Sequence, residues 1–134
     1  MDVIKEMEVS LYCDGKSSKK MRLYFDSGSP YTFIKKSSAE AIGGIFKLPS
    51  EERFVGLGGG GFISAEAQHL HIKVSNVWCA HFVYVIDDAI FKDGYDMLVG
   101  HDFMQKYGIK VVPHTGDIEI DEVRLKLSQT VRMV

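Results

Sequence analysis

The chain has 134 residues, 46% of them hydrophobic, 25% charged and 11% aromatic. That is enough for one ordinary domain with a sizeable core, and it excludes a disordered or fibrous chain. A formal net charge of -2 leaves no basic footprint, so nucleic acid is not an expected partner. The most apolar stretch, Val77 to Ile86, is interrupted by His81 and has roughly half the length a membrane helix needs. The opening Met1-Asp2-Val3-Ile4-Lys5-Glu6 is acidic and lacks a long apolar run, unlike a signal peptide. A cytoplasmic protein with no membrane contact is expected.

Period-two alternation dominates the chain, and helical periodicity is scarce. Met7, Val9 and Leu11 alternate with Glu8, Ser10 and Tyr12, which predicts a first strand. Asp14-Gly15 turns the chain into a second, where Met21, Leu23 and Phe25 alternate with Arg22 and Tyr24. That strand runs directly into Asp26-Ser27-Gly28-Ser29. After Pro30, Tyr31–Ile34 reads as extended. Ser37-Ser38-Ala39-Glu40 then fits a capping box, and Gly43 is placed as a stop, predicting a helix of about two turns. Phe54 to Val74 reads as an apolar strand, the run Gly58, Gly59, Gly60, Gly61, and another strand ending Leu70, Ile72, Val74. A strand at Val77–Ile86 follows, with Trp78 expected in the core, and then a polar loop from Asp87 to Asp96. Met97-Leu98-Val99-Gly100 is a short buried strand, and Asp102–Tyr107 a helix closed by Gly108. Strands are expected at Ile109–Val112, Ile118–Ile120 and Val123–Leu127. No linker or repeat interrupts this order, so residues 1–134 read as a single mostly-β domain.

Three features in sequence carry a resemblance. An apolar strand ends in Asp26-Ser27-Gly28-Ser29, a glycine-rich hairpin follows, and Leu98-Val99-Gly100 precedes a helix. In these features, over roughly Met7 to Ile120, the chain resembles the retropepsin-like aspartic peptidases. The resemblance implies an all-β fold: a closed, mostly antiparallel acid-protease barrel with one or two short helices. It also implies an aspartic endopeptidase with Asp26 as its catalytic carboxylate, requiring no cofactor. Ser27, Gly28 and Ser29 would support the active-site loop, Ser27 bracing it across a dimer. His101 stands where viral relatives often carry Arg, which removes an Arg-based dimer salt bridge from the expectation.

Peptide hydrolysis of this kind needs an acid and a base, supplied by two adjacent carboxylates that share a proton. Pepsin-like enzymes carry two Asp-Ser/Thr-Gly copies in a chain more than twice this length; here there is one. The second carboxylate is therefore expected from an identical chain, with Asp26 meeting Asp26 on a two-fold axis, and a peptide or protein as substrate. A second reading keeps the same dimer as a non-catalytic dimerisation or peptide-binding module, with Asp26 as a structural acceptor. The intact Asp26-Ser27-Gly28 and the glycine-rich hairpin favour the enzyme.

Other motifs each have two readings. Gly56-Leu57-Gly58-Gly59-Gly60-Gly61 matches the dinucleotide pattern G-x-G-x-x-G, which needs a following helix. The alternation after it instead suggests a hairpin tip acting as a flap over a cleft. His69 and His71 share a strand face, and with His81 they form either a metal site or an exposed histidine face, the latter favoured because no carboxylate or cysteine completes the ligand set. Asp102 reads as a partner of the helix dipole. Cys13 and Cys79 follow no metal or redox spacing and read as two buried thiols on strands, with a disulfide as the alternative. The cleft is expected to include Ile34, Phe54, Leu57, Ile63 and side chains near Val99, favouring apolar substrate side chains.

Overall fold

The computed structural model describes residues 3–14, 17–56, 60–91 and 94–128. Among these residues, nine strands and three short α-helices follow in chain order: β1 (Val3–Leu11), β2 (Ser18–Phe25), β3 (Phe33–Lys35), α1 (Lys36–Ile42), β4 (Phe46–Gly56), β5 (Gly60–Val74), β6 (Val77–Ile86), β7 (Met97–Val99), α2 (His101–Tyr107), β8 (Ile109–Val112), β9 (Asp117–Ile120) and α3 (Glu122–Leu127), with one turn of 3-10 helix at Asp88–Ile90. The main sheet runs β1-β2-β7-β3-β6-β5-β4, and pairing of β1 with β5 closes six of these strands into a barrel. The expected all-β barrel is therefore present. Its strands are mixed: β2–β7 and β3–β6 are parallel, and the other four contacts around the ring are antiparallel. Strand β4 lies outside the ring and forms a long hairpin with β5. Strands β8 and β9 make a separate hairpin.

The parallel pairs determine where the loops meet. Parallel neighbours cannot be joined by a tight turn, so β2 and β7 come from distant parts of the chain. Their C-terminal ends nonetheless lie side by side, Phe25 opposite Val99. Strand β3 returns antiparallel on the other side of β7, Phe33 opposite Leu98. The segment Asp26–Thr32 must therefore cross the end of β7, where Gly100 leaves it. Asp96 holds the other end of β7. Its backbone N–H donates to the Arg22 carbonyl at 2.7 Å, and its carboxylate accepts from the Arg22 N–H at 2.8 Å and the Ser38 hydroxyl at 2.7 Å.

Successive strand residues face opposite sides, and this divides the core. Ile34, Met97 and Val99 point into the barrel with Leu23, Leu70, Ile72, Val83 and Phe103. Phe33 and Leu98 point the other way, into a second cluster with Phe62, Ile86 and Tyr95. Each such buried side chain contributes roughly 1.5–3 kcal/mol by leaving water.

Several local expectations differ from the structure. The segment expected as a strand at Val123–Leu127 is helix α3, capped by the Asp121 side chain, which accepts from the Arg124 N–H. Only Leu125 of this helix is buried, while Val123 and Leu127 stay exposed. Alternating apolar residues over so short a span fit either element, and the cap decides for the helix. Helix α1 stops at Gly43 (φ 88°) as expected, but its N-cap is Lys35 and no capping box forms. The Ser37 N–H is instead satisfied by the Asp88 carboxylate at 2.9 Å. Trp78 is half-buried rather than core, with the Lys73 ammonium 5.7 Å from its ring centroid.

Both cysteines are free thiols, but of the two expected to be buried on strands only Cys79, in β6, is so; Cys13 lies in the turn beyond β1 and is exposed. Burial pushes the Cys79 thiol up to about 12, so it behaves as a small apolar side chain. Among the described residues, no helix is long and apolar enough to cross a membrane.

Candidate active site

Asp26 is the first residue beyond β2, half-buried. Its backbone N–H donates to the Val99 carbonyl at 2.9 Å, extending the β2–β7 pairing by one bond. Its carbonyl accepts from the Ser29 N–H at 3.1 Å, and its Oδ1 accepts from the Gly28 N–H at 3.0 Å. The turn thus holds one carboxylate oxygen by backbone, while Oδ2 and the exposed Ser27 hydroxyl have no partner among the described residues. Gly28 permits this because a Cβ there would sit 3.3 Å from Asp26 Oδ1. Ser29 closes the loop, its hydroxyl donating to the Tyr31 carbonyl at 2.8 Å and its carbonyl accepting from the His101 N–H at 2.6 Å.

Asp26 opens on a cavity of about 240 Å³ between this loop and the β4–β5 hairpin, whose lining includes Gly28, Ser29, Tyr31, Phe33, Phe54 and Phe62. The aromatic rings are packed against one another: Phe33 lies 4.9 Å from Phe54 and 5.3 Å from Phe62, and Tyr31 lies 5.4 Å from Phe54, all edge-on. Such contacts stiffen an apolar wall at one side of the carboxylate.

Of the residues expected on that wall, Phe54 is there. Ile34 is not; it is fully buried in the barrel, and its neighbour Phe33 faces the cavity. Ile63 opens onto a different groove, with Lys36, Glu40 and Glu66. Leu57, Gly58 and Gly59 lie outside the described residues. Gly60 and Gly61 begin β5, with Gly60 opposite Gly56 in the hairpin. The chain continues from them as a strand, which overturns the dinucleotide reading of the glycine run.

The histidines do not converge. The Tyr12 ring stacks on His69 at 4.1 Å and on His71 at 4.9 Å. Burial, with the neighbouring His69, lowers the pKa of His71 below its ordinary value. His81 pairs across the sheet with Leu70 and so faces the opposite side. There its Nε2 lies 2.8 Å from Asp102 Oδ2. Asp102 Oδ1 accepts from the Thr32 hydroxyl at 2.7 Å and from the Phe103 N–H at 2.8 Å. Thr32, fully buried, also accepts from the Gly100 N–H at 3.1 Å. This connection was absent from the sequence reading, and the only local hint was a hydroxyl inside the apolar run ahead of Ile34.

Burial opposes ionisation of Asp102, but the hydrogen bonds from His81 and Thr32 outweigh it and hold the carboxyl below its ordinary 3.8. A depressed folded-state pKa means the unfolded chain binds the proton more readily, so the group stabilises the fold above its unfolded pKa. That stabilisation disappears as pH falls through the folded value. Asp102→Asn should therefore lower Tm by on the order of a few degrees at neutral pH, and the gap to the parent should narrow on acidification below 3.8. Thermal melts across that range check it; a gap that widens toward acid would contradict it.

The fold resembles those of two solved structures. The retroviral protease-like domain of Ddi1 from Leishmania major superposes with a TM-score of 0.59 at 16% identity, covering 89% of each chain. EIAV protease, in complex with an inhibitor, superposes at 0.58 with 14% identity, covering 84% of this chain and 93% of its own. At such low identity these likenesses show the fold alone. No curated protein sequence matches the chain. A family model described as Ty3 transposon peptidase matches residues 3–120. With that match running from the first barrel strand to the end of β9, the chain belongs to the Ty3 transposon peptidase family.

Proposed function

We propose that the chain is an aspartic endopeptidase that works as a homodimer, each subunit contributing Asp26. The observation that carries the reading is the Asp26 carboxylate itself. One oxygen is held by the Gly28 N–H, the other is unengaged among the described residues, and Asp26 lines an aromatic-walled cavity. Such a carboxylate is rigid and open to a second group. A twin Asp26 across a two-fold axis supplies that group, and like-charge repulsion makes the pair share one proton. The ionised member takes a proton from the attacking water while the protonated member polarises the scissile carbonyl. The Ser27 hydroxyl, without a partner among the described residues, is suited to bracing the two loops against each other. The β4–β5 hairpin closes over the peptide and excludes water.

Incubation with an unstructured protein at acid pH, with and without a pepstatin-type inhibitor, tests the reading. Cleavage that the inhibitor stops, from a species with the mass of two chains, is expected. An intact substrate after incubation with a folded dimer from acid to neutral pH would leave only a binding module.

A further inference from the structure

We propose that Thr32, Asp102 and His81 form a positioning relay that seats the Asp26 loop on the end of β7 and thereby sets kcat. None of the three lines the cavity. The inference rests on the peptidase reading above and adds residues that act through the loop rather than on the substrate.

The argument begins with the hydroxyl of Thr32, which has a single proton to give. Asp102 Oδ1 takes it at 2.7 Å, a charge-assisted bond that fixes the hydroxyl rotor. With the rotor fixed, an oxygen lone pair faces the Gly100 N–H at 3.1 Å. Thr32 closes the loop that begins at Asp26, and Gly100 follows Val99, whose carbonyl holds the Asp26 N–H. The hydroxyl therefore ties the far end of the loop to the strand end that anchors its near end. The His101 N–H to Ser29 carbonyl bond at 2.6 Å ties the middle.

Asp102 must be ionised and oriented to do this. The Phe103 N–H at 2.8 Å holds Oδ1, and His81 Nε2 at 2.8 Å holds Oδ2, so with the carboxylate ionised Nε2 carries the proton. His81 is itself wedged against the Phe103 ring, 5.2 Å away and edge-on. The relay thus runs from β6 through the first turn of α2 to the loop, so loss of one bond frees the others. Small displacements at a reacting carboxylate reduce rate strongly, because two carboxylates must meet one water in register.

The test uses Thr32→Val, which keeps the shape and deletes the hydroxyl, and Thr32→Ser, which keeps the hydroxyl. Thr32→Val should lower kcat roughly ten- to hundredfold with KM little changed, and Thr32→Ser should restore most of it. Asp102→Asn, close in shape and less buried, gives a second route if Thr32→Val folds poorly. The two changes should be non-additive in kcat when combined. Amide exchange at Gly100, followed by NMR, should speed up in Thr32→Val and Asp102→Asn and return toward the parent rate in Thr32→Ser. Unchanged kcat and unchanged Gly100 exchange in Thr32→Val would overturn the relay. So would a Thr32→Ser variant as impaired as Thr32→Val, which would make the role one of packing. If the folded parent cleaves no peptide, the peptidase reading alone fails, and Gly100 exchange still decides whether the relay holds the loop.

Discussion

In the proposed homodimer, Asp26→Asn should abolish peptide hydrolysis while leaving the barrel and the dimer intact. Asn keeps the shape of Asp and an oxygen that accepts from the Gly28 N–H, now 3.0 Å from Asp26 Oδ1, so the turn loses little. It cannot take a proton from water or share one with its twin. Loss of the general base alone costs at least ~10²–10⁴ in rate. The most discriminating version joins one parent chain to one carrying Asp26→Asn. A tethered pair that cleaves peptide at near the parent rate would rule out the two-carboxylate mechanism, whereas an inert pair with the parent's Tm would support it.

Gly100→Ala should be the most destabilising small change in the described chain. A Cβ at Gly100 would lie 2.6 Å from the Ser29 carbonyl oxygen and closer still to that of Tyr31. Both oxygens are backbone, in the loop that crosses β7, and neither can rotate aside as a side chain would. Either the strand end or the loop must move, breaking the Asp26-to-Val99 and His101-to-Ser29 backbone bonds. The expected loss is about 3 kcal/mol or more, in the tail of single-substitution effects. Gly43→Ala is the natural comparison. Its φ of 88° with ψ of -175° is a backbone region nearly confined to glycine, but nothing lies within 4 Å of the added atom, so its cost should be that backbone strain alone, on the order of 1–3 kcal/mol. Urea unfolding of the two variants measures the difference. A Gly100→Ala midpoint equal to that of the parent, or above that of Gly43→Ala, would mean the loop does not rest on β7 as described.

What could be read from the chain alone was local. Alternation over β1, β2 and β5 to β7 reports a half-buried pleat wherever one face meets a core, so most strands were legible without knowing their partners. The Asp26-Ser27-Gly28 turn and the short helix after Gly100 were legible for the same reason, since turn and cap chemistry act within a few residues. Where only a few residues carry the pattern, it is degenerate, and α3 passed for a strand until the Asp121 cap and the lone buried Leu125 settled it. Alternation also says that Phe33 and Ile34 face opposite sides, but not which side is the cleft. Their pairing with Leu98 and Met97 across β7 decides that, sending Phe33 to the cavity and Ile34 to the barrel interior. The hydrogen bonds around Asp102 were beyond local pattern altogether, since Thr32 lies 70 residues from it and His81 lies 21. No periodicity encodes such contacts; they exist because two parallel strand pairs bring distant segments to one end of the barrel, and only the closed sheet makes them neighbours.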